Sequence, residues 1–135
     1  VGVFVVEPHG LTRLGLCVLI ERAPDLTLTG AAKDRLEALA GLDDDRAALI
    51  LVEPLAAPNR EGELIAALLR AAPSAKVVAL SARVESVYVD RVLRTGVAGF
   101  VSKNESSDRV LRAIREVLAG KTVLAGVSGA SAGSS

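Results

Sequence analysis

Two apolar runs in this chain end in the same way. "VFVVEPHG" (3–10) runs into Glu7 and Pro8, and "ALILVEPLAAP" (48–58) runs into Glu53 and Pro54. A third run, "KVVAL" (76–80), stops at Ser81, and a fourth, "GFVSK" (99–103), stops at Lys103. Two carboxylates, a hydroxyl and an ammonium therefore stand at the ends of four strand-like segments. Singly, each has an ordinary reading: solvated loop carboxylates, a surface lysine, a serine that caps the helix starting near 84. Gathered at one place, they make a site for a charged ligand.

The elements that would gather them are legible from periodicity. Strand patterns cover 1–6, 26–32, 47–52, 76–80 and 99–103, and helical patterns cover 11–23, 34–42, 63–72, 84–96 and 106–120. Leu11, Leu14, Val18 and Leu19 form the apolar stripe of the first helix. Pro73 stops the third helix, and Gly96 and Gly120 stop the fourth and fifth. Strict strand–helix alternation implies a parallel sheet with right-handed crossovers. The segments at 1–6, 47–52 and 76–80 are apolar on both faces, as covered central strands must be, whereas 26–32 alternates and belongs at an edge. This pattern predicts a flavodoxin-like (βα)5 doubly wound sheet of order 2-1-3-4-5, whose ligands bind outside the carboxyl ends of the central strands. Those ends are Glu7, Glu53, Ser81 and Lys103.

The 135 residues suit one domain, and the 50% hydrophobic content suffices for a core. Sixteen basic and sixteen acidic residues cancel, which argues against a nucleic-acid surface in this segment. The single cysteine, Cys17, excludes a disulfide framework and a cysteine-cluster metal site. The apolar runs are too short to span a bilayer, and no signal peptide is recognisable. The chain opens on Val1 rather than methionine, which reads as a trimmed N-terminus. The Gly/Ser/Ala-rich stretch 126–135 reads as a flexible linker or tail after a domain at 1–125, and suggests a following segment.

"HGLTRLGL" (9–16), "TGVAGFVSK" (95–103) and "RAIREVLAGKTVL" (112–124) resemble the receiver domains of two-component response regulators, most closely those preceding a LuxR-type output domain. The resemblance covers roughly residues 1–125. It implies an acidic pair after the first strand and an aspartate after the third that hold Mg²⁺, the aspartate accepting a phosphoryl group. It also implies a Thr or Ser and a Lys that bind this group, and an aromatic switch on the fifth strand. Ser81, Lys103 and Phe100 match that pattern. Glu7 stands at the first acidic position, but Pro8 replaces the second acid, and Glu53 replaces the phosphoacceptor. Pro58 lies five residues after Glu53 and Gly62 nine, each one later than usual for the family.

Mg²⁺ requires near-ideal octahedral oxygen geometry at about 2.0–2.1 Å. Removing one acid and lengthening two others by a methylene should damage such a site, so Mg²⁺ binding is expected to be weak or absent and no other cofactor is implied. Phosphoryl transfer depends on positioning and charge neutralisation, and the Glu53 carboxylate would lie off the in-line path. Its extra length instead suits a direct ion pair with Lys103. The expectation is an atypical, phosphorylation-independent receiver with a remnant pocket of Glu7, Pro8, Glu53, Ser81 and Lys103, and Phe100 as its switch.

The alternative is a receiver controlled by a small-molecule ligand or a partner protein, or a stand-alone interaction module. An enzyme is not expected: the chain has no G-x-x-x-x-G-K-[ST] loop, no G-x-G-x-x-G after the first strand and no G-x-S-x-G elbow. His9 alone supplies no ligand set, Cys17 reads as a small buried hydrophobe, and Tyr88 as a packed or half-exposed aromatic. Leu16, Ile20, Leu111 and Leu118 exceed what one helix face buries and are the candidate dimer face. The implied partners are a second copy and a linked DNA-binding domain, with no nucleic-acid contact by this segment, no membrane, and a cytoplasmic setting.

Overall fold

The structure is a computed structural model that describes residues 1–127. It alternates β1 (Gly2–Val6), α1 (Gly10–Arg22), β2 (Thr27–Ala32), α2 (Arg35–Gly41), β3 (Leu49–Val52), α3 (Glu61–Ala71), β4 (Lys76–Ser81), α4 (Ser86–Leu93), β5 (Gly99–Ser102), α5 (Ser107–Leu118) and β6 (Val123–Ala125). A short 3-10 turn, Pro54–Ala56, follows β3. The strands form one parallel sheet of order β2-β1-β3-β4-β5-β6. The doubly wound order expected from the sequence holds, with one strand more than expected: β6 pairs with the outer edge of β5.

Side chains alternate across the strands and so feed two cores. Val3, Val5, Leu49, Leu51, Val78, Leu80 and Val101 pack against α1 and α5 through Ile20, Val110, Ile114 and Val117. Phe4, Val6, Ile50, Val52 and Val77 pack against α2 and α3 through Ala38, Leu64 and Leu68. Ala79 and Phe100 continue this second face beneath α4, against Tyr88, Val89 and Val92. Each buried Val, Leu or Ile contributes about 1.5–3 kcal/mol relative to exposure. This two-sided burial is why β1, β3 and β4 read as continuous apolar runs. At the other end of the order, β2 has one sheet neighbour and keeps only Ala32 buried.

The helix ends follow local chemistry. Ser106 caps α5 by accepting the Arg109 N–H at 3.1 Å. Gly120, at φ +93°, lets the chain turn back after α5 where a side chain would be strained. That reversal makes β6 possible.

The phase of α1 corrects the sequence expectation. Leu11 and Leu14 are exposed, at 85% and 61%, whereas Ile20 is fully buried. Leu16 and Leu19 pack partly against the core beside it. The helical period is as expected, but the sheet selects the 16/19/20 face. Ile20 is therefore core, not part of a dimer face. Leu111 and Leu118 are also partly buried against the α1/α5 core. Of the tail expected at 126–135, only Gly126 and Val127 lie within the described residues. Among the described residues no helix is long and apolar enough to cross a membrane.

Candidate functional site

Strand order brings the charged ends together. β1 and β3 are neighbours in register, Val6 beside Val52, so the next residue of each, Glu7 and Glu53, stand side by side. The Glu53 N–H donates to the Val6 carbonyl at 2.9 Å and holds that alignment. Lys103 follows β5, two strands from β3, and its own N–H donates to the Ser81 carbonyl at the end of β4, also at 2.9 Å. The long lysine stem spans the gap that a shorter side chain could not.

The ammonium of Lys103 sits between the two carboxylates. Its Nζ lies 2.7 Å from Glu7 Oε1 and 2.9 Å from Glu53 Oε1. Both glutamates are almost wholly buried, at 1% and 3% exposure, and Lys103 is 18% exposed. The contact to Glu53 is a well-formed hydrogen bond, whereas that to Glu7 is a close charge pair outside hydrogen-bond alignment. The remaining oxygens are held by backbone. Glu53 Oε2 accepts the Leu55 N–H at 3.1 Å, and Glu7 Oε2 accepts the His9 N–H at 3.0 Å.

Burial pulls the Lys103 ammonium toward its neutral form, but the close polar contacts and charge of Glu7 and Glu53 together outweigh it and raise its pKa. The cluster carries a formal charge of minus one, two carboxylates against one ammonium. His9 stands at its exposed rim, Nδ1 3.3 Å from Glu7 Oε2. Arg13, on the first turns of α1, donates to the Glu7 carbonyl at 2.9 Å and to that of Pro8 at 3.4 Å, which clamps the β1–α1 loop. Sequence reasoning assigned neither His9 nor Arg13 to the site, because their proximity to Glu7 depends on the loop path.

Ser81 and Pro8 do not join the charge cluster. Ser81 is fully buried, and its Oγ accepts the Arg83 N–H at 3.1 Å. It closes a turn after β4, and the N-cap of α4 is Glu85 instead. Pro8 contributes its carbonyl to Arg13 and no side-chain oxygen.

Phe100 is fully buried and meets Tyr88 edge to face, with ring centroids 6.4 Å apart and planes at 89°. Tyr88 is thus packed rather than half-exposed, with Arg83 and Arg91 over its ring at 4.2 and 5.3 Å from the centroid. Among the described residues its hydroxyl is buried without a hydrogen-bond partner. Burial, then the charges of Glu61 and Glu53, raises the phenol pKa. Glu61, buried at the start of α3, lies 3.6 Å from Arg91 of α4 and had no signal in the sequence. Cys17 is half-buried, and its thiol is pushed up by burial and the nearby Glu21 charge, against a lowering by Arg13.

The donor set does not fit a divalent cation. Glu7 and Glu53 each direct Oε1 at an ammonium rather than at open space, and Pro8 adds no side-chain oxygen beside them. Among the described residues no group of three His, Cys, Asp or Glu side chains is placed to hold a metal ion.

Comparison with known proteins agrees with this fold. The chain is 30% identical over 122 residues to the response regulator GacA of Pseudomonas protegens, matching 90% of this chain and 57% of that protein. It is 27% identical over 122 residues to the oxygen regulatory protein NreC of Staphylococcus aureus, matching 89% of this chain and 56% of that protein. The chain thus spans little more than half the length of these relatives. A crystal structure of a LuxR family DNA-binding response regulator from Silicibacter pomeroyi superposes with a TM-score of 0.73 at 26% identity, over 91% of this chain and 94% of that one. The model of the response regulator receiver domain matches residues 3–115, and the chain belongs to that family.

Proposed function

We propose that this chain is the regulatory receiver of a LuxR-type transcription regulator, and that its pocket holds its conformation without a phosphoryl group. The observation that carries the reading is the Lys103 ammonium between Glu7 and Glu53. It supplies the positive charge that two buried carboxylates need. It also occupies one oxygen of Glu53, while the Leu55 N–H occupies the other. A carboxylate held at both oxygens is a poor nucleophile toward phosphorus, and transfer without metal charge neutralisation is slow. The description of the similar Silicibacter pomeroyi protein as a LuxR family DNA-binding response regulator supports a linked DNA-binding output.

Intact mass and amide NMR with acetyl phosphate and Mg²⁺ test this reading. The expected result is no added phosphoryl mass and no shift at Leu55, Ser81 or Lys103. A stable adduct with shifts at these amides would refute it.

A homodimer suits an output domain that reads paired half-sites. The face available for it on α1 is Leu11, Leu14 and Val18, spaced along one side of the helix and exposed. Leu11→Lys with Leu14→Lys should leave the fold intact, because neither position is buried, and should abolish concentration-dependent association in sedimentation velocity. Unchanged association would place the dimer elsewhere.

A second reading, control by a small ligand, has one observation in its favour. An open cavity of about 290 Å³ lies between α1 and α5, floored by Leu16, Leu19, Leu80 and Val110 and bordered by Lys103. That volume is just below the roughly 300–1,000 Å³ usual for ligand sites. The phosphate-free spectrum in the same NMR experiment is the reference against which any ligand would be titrated, with shifts at Leu16 and Val110 as the expected signature.

A further inference from the structure

β6 has no counterpart in the expectation from sequence, and its geometry links it to the pocket in three ways. First, direction. α5 carries the chain away from the end of the sheet that bears Lys103, and β6, being parallel to β5, brings it back. Gly99 pairs with Val123, Phe100 with Leu124 and Val101 with Ala125, so residue 126 emerges beside Ser102, one residue before Lys103. The described chain therefore reaches its last residues, Gly126 and Val127, at the charged end of the sheet.

Second, packing. Leu124 and Val127 pack on the cluster formed by Tyr88 and Phe100, while Val123 and Ala125 are buried in the α1/α5 core. A movement of either ring changes the surface on which Leu124 rests. Third, contact. Gly126 has φ +71°, and a Cβ there would lie 2.9 Å from Ser102 Cβ and 2.9 Å from Glu105 Cγ. The turn 102–105 that carries Lys103 is closed by the Glu105 N–H to the Ser102 carbonyl at 3.1 Å. Gly126 thus runs directly over the turn that aims the ammonium.

Among the described strands β6 is the shortest and stands at one edge of the sheet. It is three residues long and, among the described residues, pairs with β5 alone. Short edge elements open locally at far lower cost than the global transition.

We propose that β6 is the output arm of this domain: the Lys103 pairing and the Phe100–Tyr88 packing set whether residues 123–127 stay docked on β5, and their release or docking is what the chain beyond them senses. The inference rests on the pocket being the controlling site, but not on whether the pocket accepts a phosphoryl group.

Hydrogen exchange followed by NMR on the full 135-residue chain tests it. Glu53→Gln weakens one of the two ion pairs and keeps the side-chain shape. The expected result is exchange about tenfold faster at the amides of 123–127, with the amides of β1 and β3 unchanged. Equal acceleration everywhere, or none at β6, would overturn the proposal and leave β6 as a structural strap. The reciprocal variant, Gly126→Val, forces β6 off its contact with Ser102 and Glu105. It should shift the amides of His9 and Leu55, which hydrogen-bond to Glu7 and Glu53 on the far side of Lys103. Shifts confined to the neighbours of residue 126 would equally overturn it. Because phosphorylation is read by mass, failure of this arm and failure of the phosphate-independent reading are separate outcomes.

Discussion

Replacing Lys103 with Met is expected to cost about 3–5 kcal/mol of folding stability, because it takes from two buried carboxylates the ammonium that contacts both. That is a large fraction of the roughly 5–15 kcal/mol that holds a domain of this kind together. Met keeps most of the apolar stem, so the loss is not one of cavity volume. Urea unfolding followed by circular dichroism measures it. Adding Glu7→Gln and Glu53→Gln to the same chain should recover most of the loss, since the neutral amides no longer need the ammonium. A small cost for the single variant, or no recovery in the triple, would mean that the pairing does not organise the strand ends.

The pH dependence of this contribution has a definite sign. The folded-state pKa of Lys103 is raised. Its stabilisation is therefore fully present below the ordinary lysine range, and is lost only as pH rises through the raised folded value. The gap between the native chain and the Met variant should stay flat on the alkaline side of neutrality and narrow only in strong base. A gap that closes near neutrality would show that another group carries the effect.

The second large effect is a gain. Glu53→Asp alone is expected to give no phosphoprotein with acetyl phosphate and Mg²⁺, because Pro8 still supplies no oxygen. Glu53→Asp with Pro8→Asp restores the carboxylate count after β1 and shortens the acceptor toward the in-line position. It should give a Mg²⁺-dependent phosphoryl adduct by intact mass. The shorter aspartate side chain at position 53 would also have to give up to a metal some of the contact with Lys103, whose Nζ is now 2.9 Å from Glu53 Oε1. Phosphorylation of the single variant would show that the acid lost at Pro8 is not the limiting defect. Absence of phosphorylation in the double variant would assign the block to the longer loop carrying Pro58 and Gly62, or to the lengthened acid at Glu7.

Some features were legible because they are local. The runs before Glu7, Glu53 and Ser81 are apolar on both faces, and that marks covered strands whose ends reach one rim. The helix stops at Gly96 and Gly120 are likewise written in neighbouring residues. The direct reach of Lys103 to Glu53 followed from side-chain length.

Other features depended on distances between elements that no local pattern encodes. The apolar period of α1 is visible in the sequence, but its phase is not. Leu11 and Leu14 have the same chemistry as Leu16 and Leu19, and only the sheet decides which pair is covered. β6 is three residues long, too short for a periodic signal, and exists because β5 offers a free edge and Gly120 turns the chain toward it. The partition of the strand-end groups was also invisible. Ser81 and Lys103 are equally near the rim in sequence terms, yet Ser81 turns to the Arg83 N–H while Lys103 takes both carboxylates. Composition and periodicity were enough to determine a doubly wound sheet with charge at its carboxyl end. Which of those charges meet, which leucines stay in water and where the chain leaves the sheet were decided by packing, because each depends on contacts between residues far apart in the chain.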